Sequence, residues 1–190
     1  LLPITNQIEQ NVDGITIEFI APHFSQNDEK LSSANILFTD EFVSATRREN
    51  QIIGQFELVA VFAKGHSLTC HKFLTATHFS KQTLLTYPVA AEQLDIFSQC
   101  LTPAQVNPKS VKHVSNSHVI LQMVAANMGI AVLPNWLVNS MALQSLIDVR
   151  PITAKGLNKT LYMRYDKGKV PSKVLAQLLP AVQTAFKKLL

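Results

Sequence analysis

The chain has 190 residues, 47% of them hydrophobic and 16% charged, with a net charge of +4. That length accommodates one large domain or two small lobes around a real core, and so little charge excludes wholesale disorder. No apolar run reaches the roughly 20 residues needed to span a bilayer as a helix.

The mild basicity comes from scattered lysines, with Lys167, Lys169, Lys173, Lys187 and Lys188 gathered near the C-terminus. A solvated helix face accounts for that cluster better than a nucleic-acid footprint does. The opening LLPITNQIEQ lacks the regions of a signal peptide and starts as though continuing a longer chain. Two cysteines, Cys70 and Cys100, make no disulfide framework and suggest a reducing compartment, so a cytoplasmic location is expected.

In chain order, Pro3 to Asn11 reads as the end of an amphipathic helix, with Ile4 and Ile8 on one face. Asp13-Gly14 is a turn signal, after which Ile15, Ile17 and Phe19 alternate as in a strand. A polar loop is expected around Ser25 to Glu29, then a helical turn through Lys30 to Ser33. Asn35 to Phe38 (NILF) reads as a buried parallel strand with a polar carboxyl end, and Phe56 to Ala63 (FELVAVFA) as a longer strand stopping at Lys64-Gly65. Gly65 to His78 looks loop-like.

Thr83 to Thr86 is a short strand closed by Tyr87-Pro88, and Ala90 to Leu101 has helical periodicity through Leu94, Phe97 and Leu101. Val111 to Val114 is a strand, Trp136 to Leu143 a helix, Leu146 to Ile152 and Leu161 to Tyr165 strands, and Val174 to Leu190 a terminal helix. Strands alternating with helices indicate an α/β fold with mainly parallel strands. The late return of LYMRYDK suggests two Rossmann-like lobes joined by two crossover strands near Ala63 and Leu157. The first lobe is expected to hold residues 1–64 and 158–190, the second residues 65–157.

The most informative stretch is Ser115 to Pro134, SNSHVILQMVAANMGIAVLP. Ser115, Asn116 or Ser117 can cap a helix by accepting from first-turn N–H groups. Val119, Ile120, Met123 and Val124 supply a buried stripe, and Gly129 suits the left-handed residue that ends a helix. Ile130 to Leu133 is a buried strand, and Pro134 is pre-set to start the next helix. Ligands of open α/β sheets sit outside the carboxyl ends of strands, often at helix N-termini. The polar head Ser115 to Ser117 is therefore either a carboxylate site or simply a helix cap.

The order of elements and QMVAANMGIAVLP resemble the effector-binding domain of LysR-type transcriptional regulators, with Met128 where the family pattern has its first glycine. LLTYPVAAEQLDIF and HVILQMVAANMGIAVLPNWLV are similar, within that family, to regulators of methionine biosynthesis. ILFTDE and AVFAKGHSL stand at the expected places, with Ser67 where proline is commoner.

The resemblance implies a periplasmic-binding-protein type II-like fold that senses a small amino-acid-like effector between its lobes. For the methionine branch that effector is homocysteine. It further implies a homodimer or homotetramer without cofactor, catalysis or membrane, and promoter DNA bound through an N-terminal winged helix-turn-helix outside these residues. The family's first strand and the helix start after it are expected ahead of residue 1.

Carried over by position, the effector is lined by Thr39 and Asp40, by Tyr87, Pro88, Val89 and Ala90, by Ser115, Asn116 and Ser117, and by Leu133 and Pro134. Ser and Asn groups would donate to the carboxylate and Asp40 would accept from the ammonium. The strand near Phe38 and the helix from Ala90 to Leu101 are the expected subunit contacts. The rival reading is a two-lobed solute-binding protein of a transport system. An enzyme would need a convergent acid–base or nucleophile–base set, and none stands out. His66, Cys70, His71 and His78 lack reinforcing metal-ligand spacing, so no metal is expected. His113 and His118 flank the cap.

Overall fold

The computed structural model describes residues 2–12, 14, 16–19, 34–44, 46–140 and 142–190. The chain divides into two compact units, Leu1–Phe56 with Lys159–Leu190, and Glu57–Asn158. Both divisions fall inside strands, β2 (Arg48–Ala63) and β7 (Leu157–Asp166). On the first passage the division comes earlier than the Lys64-Gly65 turn.

In the first unit, α1 (Leu2–Asn11), β1 (Ile36–Thr39), the first half of β2, most of β7 and α5 (Ser172–Lys187) build the core. Val174, Leu178, Val182 and Phe186 recur every fourth residue of α5, and all four are buried, as are Ile8 and Met163. Gly54 leaves room for that helix: a Cβ there would stand 2.7 Å from the Phe186 ring. Hydrogen bonds from Lys169 and Arg48 hold the Asp166 carboxyl below its ordinary pKa. The Tyr165 hydroxyl and Lys167 do the same for Glu49. Both carboxylates stabilise this unit above their ordinary pKa, and that contribution is lost as pH falls through the depressed values.

Two expectations for this unit change. Strand β1 is antiparallel to β7, with Phe38 opposite Met163, and Phe38 is exposed. A four-residue apolar run cannot reveal the direction of its partner, which here arrives from the far end of the chain. Residues 16–19 pair with no strand, and Phe19 is exposed. Ile15 and the loop and turn expected over 25–33 lie outside the described residues.

The second unit has a mixed sheet in the order β2, β5 (Ile130–Pro134), β3 (Thr83–Thr86) and β4 (Ser110–His113), with β6 (Ile147–Pro151) also pairing with β2. Strand β3 runs parallel to β4 and β5, whereas β2 is antiparallel to β5 and β6. The inner strands are apolar on both faces, and their alternation sorts residues to two sides. Ala60, Phe62, Leu84 and Ile130 pack with Leu68, Leu74, Phe79, Ile96 and Leu101. Val59, Val61, Leu85, Ala131 and Leu133 pack with Ile120, Leu121, Val124 and Val138 from α3 (Ser117–Ala125) and α4 (Asn135–Asn139).

The stretch expected as a loop over 65–78 contains a 3₁₀ turn at Ser67–Cys70 and a one-turn helix, α2, at Ala76–Phe79. Arg150 fastens it to β6, donating to the carbonyls of Thr69 at 2.6 Å and His71 at 2.7 Å. Ala90 to Leu101 is not one α-helix: a 3₁₀ turn at Ala91–Gln93 precedes a π-helical segment at Ile96–Leu101. The wider turn brings Ile96, Cys100 and Leu101 inward together. The buried stripe of α3 is Ile120, Leu121 and Val124, with Val119 exposed instead. Helix α4 stops at Asn139, earlier than periodicity suggests.

Gly129 does not end α3 in a left-handed conformation. Asn127 does, at φ 56°, with its own N–H bonded to the Val124 carbonyl and the Met128 N–H to the Met123 carbonyl. This pair of bonds is a Schellman motif with asparagine in the place glycine usually takes. Asn127→Ala is expected to cost about 1 kcal/mol, because alanine lacks asparagine's tolerance of that region; a urea melt measures it.

Candidate effector site

Parallel β3 and β4 deliver Tyr87 and Val114 to the same end of the sheet, where the Val114 N–H donates to the Thr86 carbonyl at 2.8 Å. The Tyr87 carbonyl also meets Nδ1 of His113 at 3.2 Å. Helix α3 starts immediately beyond. Asn116 is its N-cap, and its Oδ1 accepts from the His118 N–H at 2.8 Å. The Ser117 hydroxyl lies 2.8 Å from the Tyr87 hydroxyl. Helical geometry leaves the N–H groups of Ser117 and Val119 without an intrahelical acceptor. Ser115 and Asn116 are exposed and Ser117 is half-buried. The partial positive charge of a helix start, two hydroxyls and N–H groups without an intrahelical acceptor together favour a small carboxylate.

The remaining expected residues are distributed as follows. Pro88, Val89 and Ala90 form the tight turn after Tyr87, with the Val89 N–H bonded to the Tyr87 carbonyl at 2.9 Å, and Ala90 precedes the 3₁₀ turn. Pro134 is half-buried at the start of α4, but the Leu133 side chain belongs to the core at 1% exposure and presents no face to a ligand. In the first unit, the Thr39 hydroxyl accepts from the Glu41 N–H at 3.1 Å, and Asp40 is ion-paired with Lys159 at 3.1 Å.

One residue escaped the sequence reading. Glu57 begins the second unit, its N–H donating to Asn135 Oδ1 at 3.3 Å, an oxygen that also receives the Trp136 N–H at 2.9 Å. Its Oε1 is buried without a hydrogen-bond partner among the described residues. The available signal was a lone carboxylate at the head of the apolar run FELVAVFA.

The histidines near the 3₁₀ turn serve as caps. His66 Nδ1 accepts from the Leu68 N–H and His78 Nδ1 from the Thr75 N–H, while the His71 and His78 rings stand 4.2 Å apart. Among the described residues no three His, Cys, Asp or Glu side chains gather as a metal site. Cys70 is exposed, and burial pushes the Cys100 thiol up. Among the described residues no helix is long and apolar enough to cross a membrane.

Residues 34–187 match the LysR substrate binding domain. The chain belongs to that family. Among curated proteins, this LysR domain is 39% identical to the HTH-type transcriptional regulator MetR of Escherichia coli over 113 residues, 60% of the chain and 35% of that regulator's length. It is 29% identical to MetR of Buchnera aphidicola over 150 residues, 78% of the chain and 47% of that protein. The chain thus spans well under two thirds of these relatives, which are transcriptional regulators and not enzymes. Among solved structures, the regulatory domain of MetR, a LysR family regulator from N. meningitidis, superposes with a TM-score of 0.83 at 25% identity. That superposition covers 100% of the chain and 88% of the solved one. The fold is accordingly α/β of the periplasmic-binding-protein type II-like kind, and the chain is a LysR-type regulatory domain related to MetR.

Proposed function

We propose that this domain senses a small amino-acid-like effector such as homocysteine and controls the DNA binding of a MetR-type regulator acting on methionine-biosynthesis genes. It works as a homodimer or homotetramer in the cytoplasm, and promoter DNA is contacted by a segment of the whole protein outside this chain. The effector acts through its different affinities for alternative arrangements of the domain, which shift their populations. The observation that supports the reading is the start of α3, where Asn116 caps the helix and the Tyr87 and Ser117 hydroxyls stand 2.8 Å apart, groups suited to a carboxylate. Likeness to the MetR regulators supports the choice of effector.

Titration calorimetry of the chain against homocysteine, methionine and cysteine tests this, with sedimentation of the same sample. Homocysteine is expected to bind saturably, and the chain to sediment as a dimer or larger. Saturable heat with none of the three would remove the effector assignment. Asn116→Ala is expected to weaken homocysteine binding about tenfold while costing about 1 kcal/mol of stability, the ordinary loss of a cap. Unchanged affinity in that variant would leave Asn116 a cap and nothing more.

A further inference from the structure

An α-amino acid carries an ammonium group as well as a carboxylate, and a site for it needs an anionic acceptor. Asp40, the sequence's candidate, already has the Lys159 ammonium at 3.1 Å. We propose that Glu57 is the ammonium acceptor of the effector, an assignment that rests on the effector-sensing reading above.

Glu57 is held where the strand ends meet. Strand β2 runs antiparallel to β5 with Leu58 opposite Pro134, so Glu57 stands beside the carboxyl end of β5. The side chain of Asn135 ties the two together, its Oδ1 receiving the N–H groups of both Glu57 and Trp136. Leu85 lies beside Ala131 in the parallel β3–β5 pair, which brings Tyr87 out at that same end. Tyr87 and Glu57 are thus two strands apart, about 10 Å between backbones at ordinary strand spacing. An amino acid and the two flanking side chains fill such a span.

The carboxylate itself is constrained and incomplete. Gly156, at φ 73°, lies so close that a Cβ there would stand 2.7 Å from Oε1 and 3.0 Å from Cδ. Oε1 is out of contact with solvent, and no group among the described residues donates to it. A carboxylate oxygen removed from water without a donor is unfavourable, because nothing replaces the hydrogen bonds that water gave it. A primary ammonium, with three N–H donors and the opposite charge, removes that cost better than any neutral donor. An anionic oxygen without a donor, two strands from a helix start that favours a carboxylate, is the complement of a zwitterion.

The test uses titration calorimetry with two probes of the same carbon skeleton: L-homocysteine, and 4-mercaptobutanoic acid, which lacks the amino group. Glu57→Gln is expected to weaken homocysteine about tenfold or more, and to leave the response to 4-mercaptobutanoic acid as in the unaltered chain. Its thermal melt serves as the control for folding. Glu57→Asp, which keeps the charge but withdraws it by one methylene, is expected to lose affinity for homocysteine about threefold or more, and decides the matter if the glutamine variant does not fold. Equal homocysteine affinity in the variants, or an equal loss for both probes, overturns the role of Glu57 and leaves the effector reading standing. An unaltered chain that binds no homocysteine overturns both.

Discussion

Replacing Phe62 by alanine is expected to lower the free energy of unfolding by about 4 kcal/mol and the melting temperature by about 12 °C. Phe62 is fully buried on β2, where its face of the sheet meets Leu68, Leu74, Phe79 and Ile96. Its ring lies 5.5 Å from that of His66, at the turn that opens the 3₁₀ segment. Truncation removes the apolar surface and leaves a cavity that neighbours on several different elements cannot collapse to fill. Urea unfolding followed by circular dichroism measures the loss. A loss below about 1.5 kcal/mol would mean that the packing around this ring is far looser than its burial implies.

Gly129→Ala is the second large effect, about 3 kcal/mol of destabilisation. If Gly129 were merely a flexible residue after a helix, alanine would be neutral or would stabilise by about 0.4–1 kcal/mol through the unfolded chain. The structure reverses that sign. A Cβ at position 129 would stand 2.7 Å from the Thr83 carbonyl oxygen and 3.0 Å from Leu85 Cγ. The oxygen belongs to the backbone of β3 and cannot rotate away, so β3 and β5 must separate or slide. That parallel pair sets Tyr87 beside the end of β5, so homocysteine affinity is expected to fall with stability. A chemical melt of the variant beside its calorimetric titration reads both, and a stabilised variant would contradict the close approach of the two strands.

Much of the second unit was legible in the residues. TLLT and IAVLP are apolar runs that are each a whole strand, and FELVAVFA is the second half of β2. The cap at Asn116 was legible as well, as one of three adjacent residues able to accept from a helix start; only the structure chose among them. Its choice follows from backbone geometry, since Asn116 is the residue with extended dihedrals and Ser117 is already helical. Periodicity failed where the helix type changed, at Ile96–Leu101, because a spacing of three and four residues fits an α-helix and says nothing of a π-turn. It failed again at Val119, where a one-residue rotation of the buried face exchanged Val119 for Leu121.

Local sequence by itself determined strands β3, β4 and β5, the terminal helix, the polar head of α3 and, through QMVAANMGIAVLP, the family. These depend on near neighbours in the chain: capping, alternation and turn chemistry act over a few residues. Tertiary structure alone decided the rest. It made β1 an antiparallel edge strand, placed Asp40 on Lys159 and left Glu57 with a buried oxygen unpartnered among the described residues. Each of those depends on a backbone or charge brought from a distant part of the chain, and local pattern does not record which distant partner arrives.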